Sequence, residues 1–171
     1  MQSISIFSVG ANPVPTNYEK IELTDVTPTA NNEHSTITSY GPYYNCRVNM
    51  TIHSFDGSHM NVFEIGDGTK LDRHPALYVS PGGGVYAHSY GAQAARNMWV
   101  DLETPIIIEM KQFEDNGVVR FTFTYNEIER MTYANTREST AVKSDMKVFI
   151  SNNFNVPADV TIHTFFFEVW S

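Results

Sequence analysis

The sequence predicts an all-β fold, a sandwich, jelly roll or barrel of antiparallel strands, and three observations carry that prediction. The first is Ile106-Ile107-Ile108-Glu109-Met110, which runs through Glu114-Asp115-Asn116-Gly117 into residues 118–125. In the return run Val119, Phe121, Phe123 and Tyr125 alternate with Val118, Arg120, Thr122 and Thr124. Period-two alternation bounded by Asn-Gly is a strong short-range hairpin signal. The second is the run from Asp159 to Trp170, centred on Phe165-Phe166-Phe167. So apolar a strand would aggregate as an exposed edge, so it must lie between neighbours. The third is that no segment holds helical periodicity over three turns, while short alternating runs recur every roughly 8–14 residues.

The remaining elements follow in order. Residues 2–9 alternate as a first strand, and 12–17 form a link rich in Pro and Asn. Residues 18–23 alternate again, and 24–35 read as a polar loop. Residues 44–55 form a strand in which Cys46, Val48, Met50 and Ile52 share one face. Asp56-Gly57-Ser58-His59 turns it into a strand over 59–65. Residues 66–74 form a polar loop, 75–80 a short strand, 81–84 a Pro-Gly turn and 85–90 the return strand. Residues 91–97 read as a loop of small residues. Asn126-Glu127 turns into 128–133, a strand covers 147–151, and 152–158 is a loop before the closing strand.

At 171 residues the chain is most economically one domain, 1–171, with 1–17 its N-terminal strand and link. A hydrophobic fraction of 42% supplies a core, and a charged fraction of 18% argues against disorder. Eleven basic against nineteen acidic residues give a net charge of -8, without a Lys/Arg cluster. That argues against nucleic acid and anionic membrane surfaces as partners and suits neutral or cationic ones, neutral sugars among them. No apolar run is long enough to insert in a membrane as a helix. Residues 1–9 lack the features of a signal peptide, so the localisation expected is cytoplasmic, or secreted as a mature form. The lone Cys46 excludes an intramolecular disulfide and reads as a buried core thiol, with an intermolecular bond as the alternative.

An ordered series of residues carries a family resemblance: Asn61-Val62-Phe63-Glu64-Ile65-Gly66, then Asp72-Arg73-His74-Pro75-Ala76-Leu77-Tyr78-Val79, then Trp99 ahead of residues 106–110. Met146-Lys147-Val148-Phe149-Ile150-Ser151-Asn152 follows, with Asn155-Val156-Pro157-Ala158-Asp159 leading into the last strand. From Tyr18 onward the chain resembles the concanavalin A-like lectin and glucanase superfamily, nearest to small laminin G-like or galectin-like domains of invertebrate proteins. The resemblance implies a two-sheet antiparallel jelly-roll sandwich with one concave sheet. Ligands would sit on the concave face or the loop rim.

The galectin likeness rests on His59 and Asn61, which share one side of a strand at the spacing galectins use to grip galactose. The Arg that should follow is Phe63, and Trp99 is followed by Val100-Asp101-Leu102-Glu103 in place of Trp-Gly-x-Glu-x-Arg, so galactose itself is not implied. A sugar presents C–H faces to aromatic rings and hydroxyls to polar groups. Tyr86, Tyr90 and Trp99, with His88, Gln93, Arg96 and Asn97 nearby, offer that mixture as a ligand rim, with Asp72 and Arg73 opposite. Core packing is the competing role for Tyr86 and the weightier one for Trp99. Asp67 and Asp72 could give carboxylate oxygens to calcium, the one cofactor suggested, as laminin G-like domains often hold it at such a rim. A turn clamp between Asp72 and Arg73 is the plainer alternative.

No catalytic constellation is present. Glucanases of the superfamily carry Glu-x-Asp-x-x-Glu, and Glu64-Ile65-Gly66-Asp67 has the wrong spacing to flank one bond. The expectation is a non-enzymatic lectin, multivalent as a homo-oligomer, with glycans or glycoconjugates as partners. A structural or adhesion module binding proteins, or a degenerate glycoside hydrolase relative, are the alternatives. The outward side of Phe165-Phe166-Phe167 is a candidate contact for a second subunit.

Overall fold

A computed structural model describes residues 18–55, 58–69, 73–89, 92–135, 143–152 and 154–171, with residues 39 and 92–97 given by backbone path alone. Its strands are β1 (Tyr18–Val26), β2 (Glu33–Tyr40), β3 (Tyr43–Ile52), β4 (Met60–Gly66), β5 (Ala76–Ser80), β6 (Gly84–Ser89) and β7 (Ala92–Trp99). They continue as β8 (Pro105–Asp115), β9 (Val118–Tyr125), β10 (Ile128–Ala134), β11 (Lys143–Phe149), β12 (Val156–Pro157) and β13 (Val160–Trp170). Two sheets form. Sheet A runs β1-β13-β3-β8-β9-β10, and sheet B runs β2-β11-β4-β5-β6-β7, with β12 paired parallel to β4. The strand expected at residues 2–9 lies outside the described residues.

β13 shows how the sequence pattern becomes packing. It lies between β1 and β3, as its apolar content requires. Val160, Ile162, Phe165, Phe167 and Val169 are each at most 1% exposed. The three-residue step from Ile162 to Phe165 breaks strict alternation, and a register shift between Ile162 and Thr164 against β3 absorbs it. Phe166 faces outward, where Lys20 Nζ stands 5.2 Å from its ring centre. β3 answers from inside with Cys46, Val48, Met50 and Ile52, and Cys46 is a free, fully buried thiol.

Two hairpins carry their own turn chemistry. Asn116 and Gly117 join β8 to β9 at φ of 51° and 76°, and Asn126 and Glu127 join β9 to β10 at 46° and 65°. Positive φ at both central residues matches the twist of the flanking strands.

The structure departs from the sequence reading at three strands on the sheet B side: β2, β7 and the two-residue β12, which lies within the expected 152–158 loop. β2 occupies a stretch left unassigned apart from the expected 24–35 loop. β7 occupies the stretch read as a loop of small residues. Ala and Asn are poor strand formers, but β6 supplies ladder pairs at both ends, Ser89↔Ala92 to Ala87↔Ala94 and Val85↔Met98 to Gly84↔Trp99, with a register shift between them.

Candidate functional site

The outer face of sheet B holds the densest arrangement of polar and aromatic side chains, and a bulge in β4 creates it. β4 pairs with β5 as Met60↔Val79, Asn61↔Tyr78, Phe63↔Leu77 and Glu64↔Ala76, with a register shift between Asn61 and Phe63. Val62 and Phe63 both enter the core. Asn61 and Glu64, three residues apart, therefore share the outer side with Tyr78.

Glu64 is only 1% exposed. Its Oε2 accepts hydrogen bonds from Tyr78 Oη at 2.7 Å and Asn152 Nδ2 at 2.6 Å, and Arg73 Nε approaches to 3.5 Å. A carboxylate removed from water needs such compensation. Asn152 also orders the loop beyond β11, since its Oδ1 accepts from the backbone N–H of Phe154 and Asn155, each at 3.0 Å.

Above this base the rings form a layer. Tyr78 and Tyr86 are cross-strand partners, and their rings stack at 5.1 Å and 15°. His88 meets both edge-on, at 5.6 Å from Tyr78 and 5.5 Å from Tyr86. His59 meets Tyr86 edge-on at 5.3 Å. The Arg73 guanidinium stands 5.1 Å from the Tyr78 ring centre. Such geometries follow the ring quadrupoles and hold the layer rigid.

Among the described residues the layer is polar but close to neutral. Burial, and then the Arg73 charge, push His88 from 6.5 down to about 4, so it is uncharged near pH 7. Burial, and then the Glu64 charge, push the Tyr78 phenol far up, and burial raises Tyr86. The Arg73 charge is opposed by Glu64. The result is a ring surface with hydroxyl, imidazole and guanidinium groups at its edges, suited to a neutral ligand with both C–H faces and hydroxyls.

Of the residues singled out by sequence, His59, Arg73, Tyr86 and His88 are brought together here. Asn61 is not presented with His59: it is 0% exposed. Its Nδ2 donates to Phe63 O at 3.1 Å, and its Oδ1 accepts from the Asn152 backbone N–H at 2.9 Å. It fixes the bulge. Trp99 is not a core residue but is 72% exposed. Asp72 and Tyr90 lie outside the described residues, as do the side chains of Gln93, Arg96 and Asn97, whose backbone belongs to β7. Glu64, Tyr78 and Asn152 were missed as site residues. The available signal was a Glu and an Asn inside otherwise apolar runs, because such groups must find partners when buried.

Of the two carboxylates expected to hold calcium, Asp72 lies outside the described residues. Asp67 Oδ1 accepts the Thr69 backbone N–H at 2.7 Å, which turns the carboxylate into its own loop. Among the described residues no group of three or more His, Cys, Asp or Glu side chains is placed to hold a metal ion.

Sheet A carries two shallow grooves of about 360 and 380 Å³ on its outer face. Arg47, Glu109, Lys111 and Glu127 line the first and pair with one another, Arg47 with Glu127 at 3.2 Å and Lys111 with Glu109 at 3.0 Å. Few aromatic rings stand there, which makes sheet B the better candidate.

No protein-family profile matches the chain, and no curated protein matches it. Its fold does match solved structures. Ruminococcus gnavus IT-sialidase CBM40 aligns at a TM-score of 0.61 and 15% identity, over 88% of this chain and 94% of that one. The same domain bound to alpha2,3 sialyllactose aligns at 0.59. The chain is a concanavalin A-like jelly-roll sandwich. Trypanosoma rangeli sialidase in complex with sialic acid aligns with this sandwich at 0.58 and 11% identity, over 73% of this chain and 20% of that one. The jelly-roll sandwich described here thus spans about a fifth of that sialidase.

Proposed function

We propose that the chain is a non-enzymatic lectin that binds glycans on the outer face of sheet B. The observation that carries the reading is the ring layer of Tyr86, His88 and His59, with Arg73 at its edge, backed by the fully buried Tyr78 ring and fixed from beneath by the buried Glu64 and Asn152. Rigid rings with polar edges recognise a sugar by stacking and by hydroxyl hydrogen bonds, at little cost in side-chain entropy. The fold neighbour that binds sialyllactose supports the ligand class. The surroundings of Glu64 support a non-enzymatic role. Its carboxylate is 1% exposed and engaged by Tyr78 and Asn152, where it reaches no glycosidic bond. A shallow face binds weakly, so useful affinity would come from multivalency through self-association.

The test is a glycan array on purified protein, run with calcium and again with chelator. Saturable binding to one glycan class supports the lectin, and insensitivity to chelator places calcium outside its mechanism. Loss with chelator would give Asp67 and Asp72 the role of metal ligands. A silent array from folded protein would sink the lectin reading in favour of a protein-binding module.

A further inference from the structure

We infer that the glycan runs across the strands of sheet B from β4 to β7, so that the face reads a neutral oligosaccharide of two or more residues instead of a single terminal sugar. This rests on the lectin reading and extends it through Trp99, a residue the ring layer does not include.

The register places Trp99 on the same face. Gly84 pairs with Trp99 and Tyr78 pairs with Tyr86, while Val85 and Met98 pair with each other and face the core. Gly84, Tyr86 and Trp99 therefore share the outer side of sheet B. Gly84 puts no side chain between the Tyr86 ring and the indole. At the nearby turn, a Cβ on Gly82 would stand 3.8 Å from the Trp99 ring, so glycine backbone supports the indole edge there. The ring still keeps 72% of its surface in water. An indole this exposed on a face already lined with rings has the composition of a ligand contact.

The opposite flank has a similar feature. Phe154 is 41% exposed, on a loop whose backbone Asn152 holds while its own amide grips Glu64. From β4 to β7 is three strand spacings, about 14 Å, which exceeds one pyranose ring. Among the described residues, the Glu64–Arg73 pair and the uncharged His88 leave no unopposed charge in the layer between, which favours neutral sugars over acidic ones.

The experiment titrates cellotetraose, maltotetraose, mannotetraose and lactose into the protein, beside glucose, mannose, galactose and sialyllactose, by calorimetry for every variant and by indole emission in a W170F background for those that keep Trp99. Wild type, W99A, W99F and Y86A are compared. The expected result is an oligosaccharide bound about tenfold tighter than its monosaccharide. W99A should erase that difference without changing the monosaccharide, W99F should restore part of it, and Y86A should weaken both. Trp99 is exposed, so its replacement should leave folding nearly unchanged. Equal affinity for oligosaccharide and monosaccharide, or an unaltered W99A, would overturn the extended site and leave the lectin standing. Preference for sialyllactose over lactose would overturn the neutral class alone. No binding by any sugar to folded protein would overturn both the extension and the lectin reading beneath it.

Discussion

Removing the charge of Arg73 while keeping its stem, as Arg73→Met, should destabilise the protein by about 2 kcal/mol. Breaking a fully buried ion pair costs about 3–5 kcal/mol, because a charge is stranded away from water. The Glu64 side is buried to that degree, but the Arg73 side chain keeps 21% of its surface exposed and the contact is 3.5 Å long. Solvent screening on that side reduces the cost by about half. Tyr78 and Asn152 still donate to the carboxylate, which keeps the loss from rising further. For a chain of this size about 2 kcal/mol corresponds to a fall in Tm of about 4–8 °C. Urea unfolding of wild type, R73M, E64Q and the double variant closes a thermodynamic cycle. Once the stranded charge is gone, R73M should cost little in the E64Q background, giving a coupling energy of about 1–2 kcal/mol. A loss below about 0.5 kcal/mol for R73M, or additive effects across the cycle, would refute the claim that Arg73 compensates a buried carboxylate.

Other outcomes follow from the same structure. His88 titrates near 4 in the folded chain against 6.5 when unfolded. The unfolded state therefore binds the extra proton between those values, and the stability contributed by neutral His88 is complete above about pH 6.5 and lost as pH falls toward 4. H88Q should remove on the order of 1–2 kcal/mol of that pH dependence, after discounting for partial exposure, as read from denaturation midpoints at pH 7 and pH 4.5. Gly41→Ala would drive a Cβ into the backbone of Trp170 and should cost more than about 2 kcal/mol. Gly117→Ala meets nothing within 4 Å, but φ of 76° should cost about 1 kcal/mol in the same assay. Cys46 is buried, and burial and then Glu109 push its thiol well up, so it should resist thiol reagents in native protein and react on unfolding.

Much of sheet A was legible because its signals are local. The Asn116-Gly117 turn carries the φ values its residues favour, and the alternation of Phe121 and Phe123 places both in the core. The apolar run at 160–170 could only be an interior strand. β7 was illegible for the opposite reason: Ala92-Gln93-Ala94-Ala95 has no strand preference, and its conformation comes from the ladder with β6. The candidate site was half legible. Exposed polar and aromatic residues such as His59, Arg73, Tyr86 and His88 could be picked by type. Glu64 and Asn152 could not be assigned a role, because their pairing spans 88 residues of sequence. Asn61 does fall on the side of His59, but its amide is spent beneath the surface on Phe63 O and the Asn152 N–H, partners that the bulge after it brings within reach and that no local pattern announces.

The central claim is that sheet B, and not the paired-charge grooves of sheet A, is the ligand face. Titrating the best glycan from the array into isotope-labelled protein and following backbone amide shifts tests it most directly. The account predicts saturable shifts at Arg73, Tyr78, Tyr86 and His88, with Arg47, Glu109 and Glu127 unmoved. Shifts concentrated on Arg47, Glu109 and Glu127, with the Tyr78–Tyr86 layer silent, would contradict it.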